Sequence, residues 1–172
     1  MIAVKNISHS VTADVIVPGQ ASSGVLIAQG GAFGGWSLHL RDGKPCYCYN
    51  PLGITRTYLR AEAPVPPGHR QVRFEFSYTD AHALGGPAAL TLYVDGEPGG
   101  AAQLHLTTPL IFSYDETTDV GRDSGSGVSE DYAADGNAFP GVINWVQSET
   151  GKADYQHLIS PEDRWRVAMA RQ

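Results

Sequence analysis

Residues 36–50 read WSLHLRDGKPCYCYN, and an Asp-Gly pair between two alternating arms is a strong β-hairpin signal. On one arm Trp36, Leu38 and Leu40 alternate with Ser37 and His39; on the other Tyr47 and Tyr49 alternate with Cys46 and Cys48. With Asp42-Gly43 as a two-residue loop, Arg41 pairs with Lys44, which sets His39 opposite Cys46 and Ser37 opposite Cys48. Side chains alternate across a strand, so one face of this ribbon is a core face and the other gathers His39, Cys46 and Cys48.

The same two-residue period recurs outward from the hairpin. Val11, Ala13, Val15 and Val17 alternate with polar Thr12 and Asp14; Val72, Phe74, Phe76 and Tyr78 alternate with Gln71, Arg73, Glu75 and Ser77; Leu90, Leu92 and Val94 alternate with Thr91, Tyr93 and Asp95. A second Asp-Gly, Asp95-Gly96, closes the last of these in the same manner. Further strands are expected at Gly24–Gln29, Arg56–Ala61, Leu104–Thr107, Leu110–Ser113 and Val142–Gln147. Roughly ten short strands joined by turns describe an all-β, antiparallel two-sheet sandwich. Twenty Gly and eleven Pro fit that turn-rich design, and 172 residues suit one domain spanning 1–172.

One helix is expected, in a tail from about residue 158 to 172. Ser160-Pro161-Glu162-Asp163 supplies an N-cap, a proline at the first helical position and acids in the first turn. Arg164, Arg166 and Arg171 follow toward its C-terminal end, where positive charge complements the dipole. Trp165, Ala168 and Met169 share one face, which either packs back onto the sandwich or docks on another domain.

The net charge of −6 lies in one segment: Asp115, Glu116, Asp119, Asp123, Glu130, Asp131 and Asp135 face only Arg122. The rest of the chain is balanced and has no cluster of Lys or Arg, which argues against nucleic acid and anionic membranes as partners. The N-terminus lacks the basic and apolar regions of a secretory signal, and the compartment stays open. Cys46 and Cys48 form no Cys-x-x-Cys pair and are expected as reduced thiols.

Several constellations bear on chemistry. His39, Cys46 and Cys48 are soft-metal candidates, short of the fourth ligand that a structural zinc needs. The acidic segment reads as a loop, and Asp115, Asp119 and Asp123 are its calcium candidates, although their spacing is not that of an EF-hand. Its alternative is a solvated connector turned by Gly121, Gly125 and Gly127. The chain has no Gly-x-Ser-x-Gly elbow, and its six histidines are scattered singly. It also has no Glu-x-Asp-x-x-Glu strand of the kind sandwich glycosidases use. No catalytic residues are expected, and no cofactor beyond calcium.

Four segments carry a family resemblance: GVLIAQGGAFGGWSLHLRDGKPCYCYNPLG, TLYVDGEPGG, FSYDETTDVGRDSGSGVSEDY and HLISPEDRWRVAMARQ. Together they resemble the C-terminal β-sandwich domain of long bacterial arylsulfatases, which is similar to concanavalin A/laminin G-like jelly rolls. The family's formylglycine signature, Cys-x-Pro-x-Arg or Ser-x-Pro-x-Arg, is absent, so no catalytic residue is carried over. PCYCYN also departs from the family's usual Lys-Pro-x-Tyr-Val-Tyr-Asn, at Cys48, so thiols are not expected from the family.

The resemblance implies a non-catalytic accessory domain, partnered by a sulfatase catalytic domain upstream or in trans, with Trp165, Ala168 and Met169 as the docking face. The alternative is a free-standing lectin-like module that binds glycan; because the acidic segment repels sulfated sugars, neutral or calcium-bridged ligands are expected there. A sandwich glycoside hydrolase ranks last.

Overall fold

The computed structural model describes residues 7–79, 85–107, 117–151 and 157–170. Its elements are β1 (His9–Val17), β2 (Gly24–Gly31), β3 (Gly34–Arg41), β4 (Lys44–Asn50), β5 (Thr57–Arg60), β6 (Gly68–Tyr78), β7 (Ala88–Val94), β8 (Glu97–Leu104), β9 (Thr118–Val120), β10 (Val142–Thr150) and α1 (Pro161–Ala170). They form two five-stranded sheets, ordered β10-β1-β6-β7-β8 and β5-β4-β3-β2-β9. Every strand pair within them is antiparallel.

The opening hairpin has the register read from its turn: Arg41 pairs with Lys44, His39 with Cys46 and Ser37 with Cys48. Asp42 and Gly43 have φ of 51° and 78°, the two positive values that a type I′ turn requires. A Cβ on Gly43 would also strike the carbonyl oxygen of Gln20, so glycine is needed twice over. Asp95 and Gly96, at 51° and 85°, make the second such turn between β7 and β8.

The inner faces of the two sheets meet in one core. Val11, Ala13, Val15, Val72, Phe74, Phe76, Leu90 and Leu92 come from one sheet and Trp36, Leu38, Leu40, Tyr47 and Tyr49 from the other. Phe74 is central, with its ring 4.4 Å from that of Tyr47 and 5.1 Å from that of Trp36. Burial of this alternating set is what selects the register, since a one-residue slip would turn it to water.

Two elements differ from the sequence expectation. The strand after Asp95-Gly96 is β8, which ends at Leu104 where the Leu104–Thr107 strand was expected to begin. Its sequence EPGGAAQL buries only Leu104 fully, so an edge strand defined by the preceding turn carries no alternation to read. The short β9 lies inside the acidic segment that reads as a loop, and pairs with β2. Leu110–Ser113 lies outside the described residues.

The tail crosses the outer face of the first sheet. Gln71 clamps it with two bonds: its amide N–H donates to the Ile159 carbonyl at 2.8 Å and its oxygen accepts from Ile159 N–H at 2.9 Å. His157 stacks on Tyr93 at 4.0 Å and bonds Glu75 at 2.7 Å. Ser160 caps α1 as expected, accepting from Asp163 N–H at 3.1 Å and donating to the Asp163 carboxylate at 2.7 Å. Arg164 does not sit in the last turn but lies over the Trp145 ring at 4.4 Å. Trp165 and Met169 do not pack back: they are 69% and 51% exposed, and the Ala168 side chain lies outside the described residues. No helix among the described residues is long and apolar enough to cross a membrane.

Candidate functional site

The acidic segment is a folded strap rather than a solvated connector. After β9 extends the second sheet, residues 121–140 run over that sheet's outer face, against the side chains that alternate away from the core. Val128 packs on Val25, Ala28 and Cys48, with Tyr58 and Tyr132 beside them. At its far end Phe139 enters the main core.

Two buried acids hold the strap. Asp131 accepts from Nε2 of His39 at 3.1 Å and from Nη2 of Arg60 at 2.7 and 3.0 Å, and it also pairs with Arg41. Burial alone would raise this carboxyl, but the hydrogen bonds from His39 and Arg60 and the charge of Arg60 win and hold it well below the usual carboxylate range. Burial lowers His39 despite Asp131 beside it, so the ring is neutral near pH 7. Because the carboxylate only accepts, Nε2 carries the proton, and Nδ1 accepts from Ser37 Oγ at 3.2 Å. Ser37, His39 and Asp131 therefore form a row with the composition of a catalytic triad. Asp131 comes from the strap, whose Tyr132 also lies edge-on to His39, and Ser37 is buried within the sheet, so the row ties strap to sheet.

Asp123 is the second acid. Its Oδ2 accepts from Val128 N–H at 2.8 Å and from the Tyr132 hydroxyl at 2.5 Å. Asn137 fixes its backbone: Asp123 N–H donates to Asn137 Oδ1 at 2.9 Å, and Asn137 Nδ2 donates to the carbonyls of Asp123, Ala133 and Ala134 at 2.9, 3.0 and 3.1 Å. The other carboxylate oxygen, Oδ1, is buried and has no hydrogen-bond partner among the described residues. Burial, reinforced by the charge of Asp119, raises the Asp123 carboxyl above its ordinary value.

Beside Asp123 opens a cleft of ≈ 340 Å³ between two stretches of the strap, lined by Arg122–Gly125 and Ala134–Ala138. That volume falls at the small end of the range typical of ligand sites, about 300–1,000 Å³. Arg122, Ser124 and Asp135 are exposed around it, while Asp123 and Asn137 are buried in its wall.

The sequence candidates are distributed as follows. Of the calcium set, Asp115 lies outside the described residues, Asp119 accepts from Ser124 N–H at 2.9 Å through Oδ2, and Asp123 lines the cleft. Of the soft-metal set, His39 and Cys46 do come together, but the third group within 4.8 Å of both is Asp131. Cys48 instead lies 3.9 Å from the Val128 carbonyl. Burial raises both thiols to about 11, whereas a metal binds the thiolate, and a cation at His39, Cys46 and Asp131 would have to displace Arg41 and Arg60 from the carboxylate. Asp131 thus takes the place expected of Cys48, arrives from 92 positions beyond His39 already engaged in ion pairs, and leaves the set without a fourth ligand among the described residues.

The comparisons with known proteins agree on the fold. No protein-family model matches the sequence, and no curated protein matches it. Among solved structures, the chain is similar to domains LG4-5 of the mouse laminin α1 chain, with a TM-score of 0.56 and 18% identity over 90% of this chain and 38% of that one. It is similar to the CBM40 of the Ruminococcus gnavus IT-sialidase, at 0.54 and 14% over 94% and 82%. It is also similar to a botulinum neurotoxin type C structure, at 0.54 and 10% over 96% and 36%, whose cell entry depends on interaction with two ganglioside molecules. The chain spans little more than a third of the laminin and neurotoxin chains. The two antiparallel five-stranded sheets and these likenesses together identify its fold as a concanavalin A/laminin G-like β-sandwich.

Proposed function

We propose that this sandwich is a non-catalytic, lectin-like module that binds glycan in the cleft of the strap. The observation that carries the reading is a polar cleft in the strap, with the exposed side chains of Arg122, Ser124 and Asp135 around it. A hydroxyl-rich ligand can both donate to and accept from such groups. The sandwich's likeness to a sialidase CBM40 and to a ganglioside-dependent toxin supports it. Calcium, where present, would draw on the exposed Asp135 carboxylate together with cleft carbonyls.

The test is a glycan array probed with the purified chain, first with calcium and then with a chelator. Reproducible binding in either condition is expected, and no binding in both overturns the reading. Asp123 and Asp135 are two carboxylates of one cleft, so release of reducing sugar from a bound oligosaccharide would replace binding with hydrolysis.

A second reading has an observation of its own: Trp165 and Met169 form an exposed apolar face on α1, beside Pro161, Glu162 and Arg166. Such a face suits an accessory domain docked on a neighbouring catalytic domain, of sulfatase type on the sequence resemblance. Co-expression with a sulfatase catalytic domain is expected to give a complex that Trp165→Ser weakens. Independent elution of the two proteins would remove this reading.

A further inference from the structure

We infer that the end of the sandwich formed by the β2–β3 and β4–β5 turns is a membrane-contact tip, which seats Phe33, Leu52 and Ile54 in the interfacial layer of a zwitterionic lipid bilayer. The inference stands apart from the glycan-binding reading, since none of these residues lines the cleft.

Phe33 and Ile54 are 75% and 80% exposed, the two most exposed large apolar residues among those described, and Leu52 is 58% exposed. They belong to two turns that touch: a Cβ on Gly53 would lie 2.8 Å from the Ala32 carbonyl oxygen and 3.1 Å from Phe33 Cα. Asn50, fully buried, ties the turns together. Its amide nitrogen donates to the Gly31 and Ala32 carbonyls at 3.1 and 3.0 Å, and its oxygen accepts from Gly53 N–H at 3.0 Å. Three apolar side chains therefore stand together on a fixed base, which marks a contact surface and sets them apart from singly scattered hydrophobes. Leu52 has φ of 58°, in the left-handed region where a bulky side chain is unfavourable. Burial does not offset that strain, because the residue is mostly in water, and strain kept without a packing gain points to use of the surface.

Charge and backbone bonding favour lipid over a protein partner. Residues 32–33 and 51–55 read AF and PLGIT, without a charged side chain. Their backbone groups are served from within: Ala32 N–H donates to Ser126 Oγ at 3.1 Å, Ile54 N–H donates to the Pro51 carbonyl at 3.4 Å, and the Ala32 carbonyl accepts from Arg56 Nη2 at 3.5 Å as well as from Asn50. A backbone group already paired enters an apolar layer at little cost, whereas an open one would lose its water there. A protein interface makes no such demand, because water and partner groups reach its polar atoms. Arg56, at the base of the second turn, is paired with Glu130 at 3.0 Å, and a net charge of −6 without a basic cluster opposes anionic lipid. The headgroups that suit the tip are thus zwitterionic, and its contact is with the interface, not across the bilayer.

The probe is sonicated phosphatidylcholine vesicles, mixed with the full chain and assayed by flotation, in parallel with vesicles that also contain phosphatidylserine. The chain is expected to float with the first at least as well as with the second. Phe33→Ser and Ile54→Ser, at exposed positions, are each expected to lower the partition into vesicles about tenfold without moving the melting temperature, the scale of one large apolar side chain returned to water. Leu52→Asn suits the positive φ and is expected to raise the melting temperature while weakening flotation, a pair of changes that a leucine kept for the fold would not give. Absence of flotation by the unaltered chain overturns the inference, as does flotation that requires phosphatidylserine or survives the double substitution F33S/I54S. Flotation lost in Trp165→Ser but kept in Phe33→Ser would move the contact to α1 and overturn it too. Self-association that Phe33→Ser abolishes, with no flotation, would give the tip to a second copy of the chain and overturn it likewise.

Discussion

Replacing Asp131 by alanine isolates the lock between strap and sheet. The side chain is 5% exposed and meets three cationic or N–H donors. Arg41 and Arg60 are 50% and 46% exposed, so both regain water when the carboxylate is lost, and each pair is worth only ~0–1 kcal/mol. His39 is different: its Nε2–H is buried and would be left without an acceptor, at a cost of about 1–3 kcal/mol. The sum is about 3 kcal/mol, which for a domain of this size lowers Tm by about 6–12 °C.

The pH dependence follows from the depressed carboxyl of Asp131. As pH falls, the unfolded chain takes up its proton first, near the ordinary value of about 3.9. The stabilisation is therefore complete above roughly pH 5 and is lost as pH drops through the lower folded value. Calorimetric melting of wild type and Asp131→Ala at pH 7, 5 and 3 is expected to show a gap that is constant from 7 to 5 and narrows at 3. A gap below about 2 °C at pH 7, or one that does not change with pH, would refute the assignment of Asp131 as the strap's anchor.

Other consequences are simpler to read. Phe74→Ala empties the centre of the core and is expected to cost about 3–5 kcal/mol in urea unfolding; a loss under 1 kcal/mol would mean the core is centred elsewhere. Gly43→Ala places a Cβ at positive φ against the Gln20 carbonyl and is expected to destabilise by more than ~1 kcal/mol, with an unchanged urea midpoint as the contrary result. Cys46 and Cys48, both raised to about 11, are expected to resist a thiol reagent at pH 8 until urea unfolds the chain; rapid native labelling would contradict their burial. Gln71→Ala removes both bonds to Ile159 and is expected to speed proteolysis between residues 157 and 160, a change that would not occur if the tail were held elsewhere.

Much of the sandwich was legible because its determinants are local. Asp42-Gly43 sets the phase of the hairpin within a few residues, and the alternation of Val72, Phe74 and Phe76 says which face is buried. The capping of α1 by Ser160 was legible for the same reason. The strap was not, because single polar residues hold it to partners far along the chain and no periodicity records that. Asp131 reads as one more acid of a solvated run, yet it is the partner of His39, Arg41 and Arg60. A faint signal existed: Ala28, Cys46 and Cys48 sit at outward positions too apolar for an open face, and basic Arg41, Arg56 and Arg60 lie at or just beyond the strand ends. The tail differed likewise, since Gln71 and Trp145 anchor it where Trp165 and Met169 had seemed the natural contacts.

The distance between the lock's two halves also has a kinetic side. His39 and Asp131 are separated by 92 positions, whereas the β3–β4 pairing closes across two residues. Loop closure over that span is slow relative to hairpin formation. The strap is accordingly expected to dock late, and until it does the partly assembled sandwich would show Val25, Ala28, Cys46 and Cys48 to water. In that interval the molecule carries a bare apolar face and two accessible thiols, an opportunity for misassembly and for oxidation that the finished protein closes.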